Sequence, residues 1–452
     1  RIATLVKQGI VAPQQVLAIS FTRQAVAELD ERLQKLLGQN GPAPKVATFH
    51  AFCQELLREF AVQGARPVAT DEERAAMAAE VLGPDATNRE VRRLLEAVSF
   101  AQQHLDPASH VPAELADAAA AWTRILDGQG RTDLDGIVLE AVRMLTADRD
   151  MAAFVANRWR CICVDEYQDV NDVQAELVRL LSPDGRSLMV IGDPDQAIYG
   201  FRGAEQGHFA RFAQTFQGTT AVCLRTTWRL TDHILRTALH IIGDHREMLS
   251  RRTGVKVEVT RCPTAASEAE QVVVRIERLV GGTSHFALDS GRGRNADEGA
   301  FGFGDIAVLV RTKTQRAEIL EALSRSGIPA LAVGEDEPHD PRAQKVAVMT
   351  MHAAKGREFE AVFVTGVEEG LVPLNVGALR GDVEEERRLL YVAITRAKTL
   401  CVLSWAARRQ WHGMALPGKP SAFIRELPTD AVTAVEPVLP DRKPAATQLS
   451  LL

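Results

Sequence analysis

The sequence lacks several features that mark other classes of protein. No apolar run in its 452 residues is long enough to span a bilayer, and no signal peptide is visible. The six cysteines, at positions 53, 161, 163, 223, 262 and 401, include no CxxC pair. This spacing argues against a structural zinc site or a disulfide framework and fits a reducing cytoplasm. We therefore expect a cytoplasmic protein that does not act at a membrane.

An excess of positive charge is also missing, since 59 acidic residues outnumber 53 basic ones. A formal charge of −6 gives no global signature of nucleic-acid binding, so any such contact must come from local grooves. Apolar residues make up 46% of the chain, which is enough for more than one core. We predict two to four domains. Because the first residue is Arg1 and not Met, we expect the chain to begin inside a larger protein.

Two neighbouring apolar runs end in polar residues. One leads into DEYQD at 165–169 and the next into GDPDQ at 192–196. Such runs suit buried parallel strands, which bind ligands at their carboxyl ends. Asp165 could hold a hydrated Mg²⁺, Glu166 could activate the water that attacks a γ-phosphate, and Gln196 could sense that phosphate. A single Asp-Glu pair is more often a helix cap, but the pairing of two such strands favours catalysis.

Two segments nearer the start repeat a pattern of strand, threonine, aromatic residue and helix. Phe21 and Thr22 follow one strand, and Thr48 and His50 follow the other. A hydroxyl and backbone amides at a helix start would bind a phosphate of a nucleic-acid strand, and Phe21 offers a ring for base stacking. Either segment alone would be an ordinary strand-to-helix turn. Together they indicate a nucleic-acid track.

Tyr199 and Phe201 follow closely after Gln196. Their rings could contact bases and respond to the state of the bound nucleotide, or they could belong to a buried aromatic loop. Residues 61–157 are rich in Ala, Glu and Arg and predict a helical insertion. Within them, the carboxylates of residues 132–135 could approach a metal, but we favour a capped helix start.

The second half alternates strands and helices again, beginning with a predicted strand at 221–224 and including a predicted helix at 384–398. This alternation in both halves predicts an α/β protein with two stacked parallel-sheet domains. The expected boundaries are 1–60 with 158–220 for the first domain, 61–157 for its insertion, 221–426 for the second domain and 427–452 for a flexible tail.

Six blocks occur in a fixed order: SFTRQA, TFHAF, VDEYQD, GDPDQAIYGFRGA, TMHAAKGREFE and EEERRLLYVAITRAK. Through them the sequence resembles the UvrD/Rep/PcrA branch of superfamily 1 DNA helicases along nearly its whole length. The resemblance implies two RecA-like P-loop NTPase domains, with ATP and Mg²⁺ in the cleft between them and single-stranded DNA across the top. It also implies an ATP-dependent helicase or translocase that moves 3′ to 5′ on single strands or at junctions with duplex, in DNA repair or replication.

The resemblance assigns roles to matching positions. Asp165 and Glu166 would bind the Mg²⁺, and Glu166 would also be the catalytic base. Glu358 would contact the ribose. The residues around the γ-phosphate would be Gln196, Arg229 and Arg396. The residues along the DNA track would be Phe21, Thr22, Thr48, His50, Tyr199, Phe201 and His352.

Two of these assignments have alternatives. An arginine delivered on domain closure can act as a rate switch, and Arg396 fits that role off the apolar stripe of its predicted helix. Its alternative is a surface ion pair. His352 could instead be a core histidine or a metal ligand, but no partner at ligand spacing accompanies it.

Several features depart from the family pattern. The phosphate-binding loop GxxxxGK[ST] is absent and would lie just before Arg1, so we expect this chain alone to bind ATP poorly and to hydrolyse little. Residues 413–421 imitate its spacing, but Pro420 replaces the hydroxyl and cannot donate an N–H. The large helical insertion of the second domain has no room between Gly334 and Val346. Arg23-Gln24 replaces Asn-Lys, and Thr227-Trp228-Arg229-Leu230 replaces Asn-Tyr-Arg-Ser, where Trp could pack as Tyr would.

The last residues, Gln448 to Leu452, are similar to the bacterial sliding-clamp peptide QLxLF and follow a proline-rich stretch. They could dock on the clamp, or they could be a frayed end.

Two other functions remain open from the sequence. One is a DNA-binding or partner-docking module without ATPase activity, and the other is a helicase-nuclease subunit, for which no nuclease domain follows residue 425.

Overall fold

The structure is a computed structural model. It describes residues 1–38, 41–61, 64–185, 187–200, 207–243, 246–281, 301–334, 337, 340–377, 379–411 and 413–437. The chain divides into two compact units, Arg1–Val222 and Cys223–Leu452. Each has a parallel β-sheet flanked by helices, as predicted, and is consistent with a RecA-like domain. No helix in the described ranges has the length and apolarity needed to cross a bilayer.

The first unit contains four strands and ten helices within its described part. The strands are β1 (Val16–Ser20), β2 (Lys45–Thr48), β3 (Cys161–Val164) and β4 (Leu188–Val190). The helices are α1 (Ile2–Lys7), α2 (Arg23–Leu37), α3 (Phe49–Phe60), α4 (Asp71–Leu82), α5 (Asn88–Ala101), α6 (Ala116–Gly128), α7 (Leu134–Ala147), α8 (Arg149–Asn157), α9 (Asp172–Leu181) and α10 (Gly207–Thr215).

The first sheet has the strand order β2-β1-β3-β4, and every neighbouring pair is parallel. The central strands β1 and β3 consist of apolar or small residues that are buried on both faces, as a covered parallel strand requires. The predicted strands before the DEYQD and GDPDQ segments are confirmed. Because all four strands run the same way, the segments that follow them emerge at one edge of the sheet.

The helical insertion is smaller than predicted. Helices α4, α5 and α6 enclose a core of their own around Trp122, which is fully buried. Helices α7 and α8 instead contribute Ile137, Leu145 and Val155 to the core under the first sheet. The sequence of α7 and α8 is as helical as that of the insertion, so composition alone could not separate the two cores.

The second unit contains thirteen strands and four helices in its described part. The strands are β5 (Thr226–Thr231), β6 (Leu249–Arg252), β7 (Val257–Cys262), β8 (Ile306–Val310), β9 (Ala330–Ala332), β10 (Val346–Thr350), β11 (Phe359–Val364), β12 (Asn375–Val376), β13 (Leu379–Arg380), β14 (Ala397–Ala406), β15 (Gln410–Trp411), β16 (Met414–Ala415) and β17 (Val432–Val435). The helices are α11 (Asp232–Ile242), α12 (Ala265–Leu279), α13 (Lys313–Arg325) and α14 (Val383–Ile394).

The second sheet has seven parallel strands in the order β17-β7-β14-β11-β8-β10-β9. Strands β8 and β10 are apolar and almost entirely buried, and each has a neighbouring strand on both sides. Strands β5 and β6 form a separate parallel pair.

Three expectations for this unit are corrected. The strand predicted at 221–224 does not form, because Val222 and Leu224 are exposed, and the strand begins at Thr226. The helix predicted to reach Lys398 ends at Ile394, and β14 starts at Ala397. The tail predicted from 427 contains β17, which pairs with β7 and extends the sheet.

Candidate functional site

The predicted catalytic carboxylates lie at the carboxyl edge of the first sheet. The Asp165 amide donates to Ile19 O at 2.9 Å, so the turn after β3 is fastened to β1. On its other side, the Ile191 amide donates to Val164 O at 2.9 Å, which fastens the end of β4 to the end of β3. The two motifs therefore emerge side by side, as the sequence predicted.

Glu166 has a left-handed backbone, with φ 53° and ψ 38°. This conformation is costly for a residue with a side chain and persists only where the surroundings enforce it. Here the next residue, Tyr167, is buried against Phe212 with ring centroids 5.3 Å apart, and its amide donates to Ile191 O at 2.9 Å. The buried tyrosine thus anchors the strained turn from which the Glu166 carboxylate extends.

A chain of hydrogen bonds connects Glu166 with Gln196. Gln168 Nε2 donates to Glu166 Oε2 at 2.5 Å, and Gln168 Oε1 accepts from the Asp193 amide at 3.0 Å. Gln196 Nε2 then donates to Asp193 Oδ2 at 2.7 Å. Gln168 is buried, so its two bonds are the means by which the two loops hold each other. The sequence singled out Glu166 and Gln196 but not Gln168 or Asp193, although all four lie within its two motifs.

Gly192 makes this approach of the loops possible. A Cβ at this position would lie 2.5 Å from Gln168 Oε1 and 2.9 Å from the Phe209 ring. Both neighbours are held by packing or hydrogen bonds, so no larger residue fits between the end of β4 and the DEYQD turn.

The surroundings of Asp165 suit a cation. Burial, and then the charge of Glu166, raise the pKa of Asp165 above its ordinary value. No group of three or more His, Cys, Asp or Glu residues in the described ranges could hold a metal ion by itself. Two adjacent carboxylates nevertheless fit Mg²⁺, which usually keeps several waters and binds through one or two carboxylates together with substrate phosphates.

The predicted DNA-track threonines act as helix caps. Thr22 Oγ1 accepts from the Ala25 amide at 3.1 Å, and Thr48 Oγ1 accepts from the Ala51 amide at 3.2 Å. Both lie at the same sheet edge as Asp165, because they follow β1 and end β2. Phe21 packs edge-on against Phe49, with ring centroids 5.4 Å apart.

The other DNA-track residues of this unit have different environments. His50 lies in the first turn of α3, and burial lowers its pKa below the ordinary value, with the charge of Asp135 opposing that shift. Tyr199 is half-buried beyond Gln196. Phe201 lies outside the described residues, as does the Gln448 to Leu452 peptide. Asp133 caps α7 through the Gly136 amide at 2.9 Å, which confirms the helix-start interpretation of 132–135.

In the second unit, Arg229 and Glu358 form an ion pair. Arg229 Nη1 lies 2.7 Å from Glu358 Oε1, and Lys398 Nζ lies 3.6 Å from Glu358 Oε2. Burial of Glu358 disfavours its ionised form, but the charges of Arg229, Lys398 and Arg396 together hold its pKa below the ordinary value. Glu358 lies 129 positions after Arg229 in the sequence, and Arg396 lies 167 positions after it. The three residues nevertheless share one electrostatic environment, as a common ligand site requires.

Arg396 is buried, whereas the alternative sequence interpretation placed it in an ion pair at the surface. It lies in the turn between α14 and β14, where Nε donates to Val392 O at 3.0 Å and Nη2 to Thr395 Oγ1 at 3.1 Å. A cation at the carboxyl end of a helix is stabilised by the helix dipole. The surface ion pair considered as its alternative is therefore wrong.

His352 and Glu358 lie at opposite edges of the second sheet. His352 follows the carboxyl end of β10, whereas Glu358 precedes the amino end of β11, and both strands run parallel within the sheet. A short loop, 351–358, thus joins the predicted DNA residue to the predicted nucleotide residue. His352 is half-buried.

Two smaller expectations concern single segments. Trp228 is 74% exposed, with the Arg251 guanidinium 5.8 Å from its ring centroid, so in this unit it does not pack as a buried aromatic residue. Residues 413–421 contain β16 and end at Ser421, which is buried and accepts from the Phe423 amide at 3.2 Å. This geometry agrees with the rejection of that stretch as a phosphate loop.

Comparison with known proteins gives matches along most of the chain. Curated relatives include the ATP-dependent DNA helicase PcrA of Staphylococcus aureus strain Mu50, which is 24% identical over 597 positions that cover 95% of this chain and 82% of PcrA. They also include the ATP-dependent DNA helicase UvrD2 of Mycobacterium bovis, which is 28% identical over 538 positions that cover 94% of this chain and 76% of UvrD2. The PcrA alignment is longer than this 452-residue chain, so PcrA has internal segments without counterpart here.

Among solved structures, the C-terminal domain of a possible DNA helicase from Lactobacillus plantarum WCFS1 is 20% identical, with a TM-score of 0.31, and the match covers 46% of this chain and 98% of that domain. Two family models match in sequence order. The UvrD/REP helicase N-terminal domain matches residues 1–217, and the UvrD-like helicase C-terminal domain matches residues 330–408. Together these two matches span more than half of the residues, and the chain is similar to UvrD/REP helicases in both its N-terminal and its C-terminal part.

Proposed function

We propose that this protein is an ATP-dependent DNA helicase or translocase that moves 3′ to 5′ on single-stranded DNA, in repair or replication. The observation that carries the proposal is the hydrogen-bond chain from Glu166 through Gln168 and Asp193 to Gln196. A base and a phosphate sensor that are fixed to each other by a buried amide are what hydrolysis of a terminal phosphate needs. The similarity to UvrD/REP helicase domains supports the same reaction.

In this proposal Glu166 accepts the proton of the attacking water. Its left-handed backbone and the bond from Gln168 fix the direction of the carboxylate before substrate arrives. Gln196 contacts the γ-phosphate and reports its loss through Asp193. Asp165, together with Glu166, would hold Mg²⁺, which when bound would neutralise charge on the phosphate oxygens.

The arginines of the second unit would stabilise the charge that develops on the phosphate. Arg229 is half-exposed and forms an ion pair with Glu358, which would accept a hydrogen bond from a ribose hydroxyl. Arg396 is buried at the end of α14, so it would act as a fixed cation and not as a mobile side chain. Such arginines typically contribute about 10³ to 10⁵ in rate.

Single-stranded DNA would follow the carboxyl edge of the first sheet and the start of the loop after β10. Phe21, Tyr199 and Phe201 would offer rings for stacking, and the residues that would contact the backbone are Thr22, Thr48, His50 and His352. Since both threonine hydroxyls already accept from helix amides, they would reach DNA through their remaining hydroxyl hydrogen. Binding to the sliding clamp through Gln448 to Leu452 would recruit the protein to forks, and deletion of that peptide would then abolish clamp affinity.

Hydrolysis by the full-length natural protein tests the proposal. We expect DNA-stimulated ATP turnover that falls at least about 10²-fold in Glu166→Gln, with ATP binding retained. Glu114→Gln is the control, because Glu114 is exposed and pairs only with Arg93 in the described structure. Displacement of a strand from duplexes with a 3′ or a 5′ tail measures the direction of movement. Tight DNA binding without ATP turnover in the unmodified protein would contradict the helicase and favour a binding module.

A further inference from the structure

Strand β5, which carries Arg229, is interrupted in the middle. It pairs with β6 through Thr226 and Thr227 at one end and through Thr231 at the other, and the register shifts between them. Residues 228–230 therefore bulge out of the ladder. Bulges of this kind redirect a side chain and are common beside functional sites. In this unit the bulge directs Arg229 to within 2.7 Å of Glu358.

The bulge removes ladder partners from backbone groups, and side chains replace them. Arg252 Nη1 donates to Arg229 O at 2.6 Å, and Ser250 Oγ donates to Leu230 O at 2.6 Å. On the opposite side, Thr227 Oγ1 accepts from the Arg229 amide at 3.2 Å. Both backbone groups of Arg229 are thus held by side chains, so its position depends on the residues that supply them.

Arg252 also binds a second element. Its Nη2 donates to Thr399 Oγ1 at 3.0 Å, and Thr399 Oγ1 donates to Glu360 Oε2 at 2.7 Å. Thr399 lies on β14, three residues after Arg396 and next to Lys398. One guanidinium therefore joins the backbone of Arg229 to the strand that follows Arg396. Lysine, with a single ammonium group, cannot reproduce this planar two-acceptor contact.

We propose that Arg252 is a positioning residue for Arg229: it fixes the β5 bulge and ties it to β14, so that Arg229 is held in the direction needed at the γ-phosphate. This inference rests on the proposed function of Arg229. Arg252 would act without touching nucleotide or DNA, and it lies outside the six sequence blocks that carry the resemblance.

The test is a double-mutant cycle in the full-length natural protein. Arg252→Lys keeps the positive charge but loses the fork, and we expect kcat for ATP to fall about tenfold with the KM for ATP unchanged. In the Arg229→Ala background the same substitution should have no further effect, because Arg252 acts only through Arg229. Thr399→Val removes one acceptor and should give a smaller loss that does not add to that of Arg252→Lys.

Arg325→Ala is the matched control, an exposed arginine of the same unit that pairs with Glu270 on the surface. It should leave kcat unchanged. Equal losses from Arg252→Lys with and without Arg229 would overturn the positioning role, as would an unchanged kcat in Arg252→Lys. A fall in the Tm of Arg252→Lys that accounts for its lost activity would also overturn the positioning role. Thr399→Val, a milder substitution, checks whether kcat falls while the Tm is kept. If Arg229→Ala alone leaves turnover unchanged, the failure lies in the proposed role of Arg229.

Discussion

Gln168 Nε2 donates a hydrogen bond to Glu166 Oε2 from only two residues further along the chain. The contact closes the turn after β3 on itself, and the other end of the same amide accepts from Asp193 on the next loop. A buried glutamine with both ends used can hold a catalytic carboxylate and a sensing loop in a fixed relation.

Replacing Gln168 by Leu should therefore impair hydrolysis more than binding. Leu has a similar volume but leaves Glu166 and the Asp193 amide without their partner, so the carboxylate loses its fixed direction. We expect kcat for ATP to fall by about 10²-fold while the Kd for ADP changes little. Gln34→Ala, on the exposed face of α2, is the control. A pure loss of nucleotide affinity would show that Gln168 has another role.

Asp133 gives a prediction for the dependence of stability on pH. It is completely buried, and burial together with the charge of Asp135 raises its pKa from 3.8 to about 6. The folded protein thus binds this proton more tightly than the unfolded chain. The stability due to Asp133 is fully present below about pH 4 and is lost as the pH rises through about 6.

Asp133→Asn removes this titration and keeps a side chain that can cap α7. We expect its free energy of unfolding to exceed that of the unmodified protein by roughly 1–3 kcal/mol at pH 7.5 and by much less at pH 4. Urea unfolding at a series of pH values measures the difference. If the difference in free energy of unfolding between the two proteins stays constant between these pH values, Asp133 is ionised in both the folded and the unfolded state.

The sequence predicted the strands that matter most, because Val164 and the residues before it form a buried apolar run with an abrupt polar end. It could not predict side-chain directions, which is why Gln168 was missed within a motif that had been singled out. Nothing in the sequence indicated a role for Arg252, since β6 is a short polar strand with alternating exposure. The boundary of α14 was misplaced because Thr395 and Arg396 suit a helix, and only the pairing of β14 with β11 ends it.

Arg409 holds together a buried ionic cluster in the second unit. Its guanidinium contacts the carboxylates of Glu268 and Glu368, and all three side chains are buried. Glu268 also accepts from Ser404 Oγ at 2.6 Å, so the cluster joins α12 to β14.

Removing Arg409 leaves two carboxylates uncompensated. We expect Arg409→Met to lower the free energy of unfolding of this unit by about 3–5 kcal/mol. Arg325→Ala, which breaks only a surface pair, should cost no more than about 1 kcal/mol. Urea unfolding with hydrogen exchange measured on β14 tests both. A loss in Arg409→Met as small as that in the control would mean that the cluster contributes specificity but little stability.

Trp122 tests whether the insertion is an independent core. Its side chain is fully buried among α4, α5 and α6, and its indole N–H donates to Arg74 O at 3.3 Å. None of the core residues under the first sheet belongs to this cluster. Replacing Trp122 by Ala leaves a large cavity, which typically costs about 3–5 kcal/mol. We expect hydrogen exchange to accelerate throughout residues 69–131 while the amides of β1 and β3 keep their protection. Leu105→Ala, at a half-exposed position, should change neither region. Faster exchange in the sheet as well as the helices would show that the two cores unfold as one.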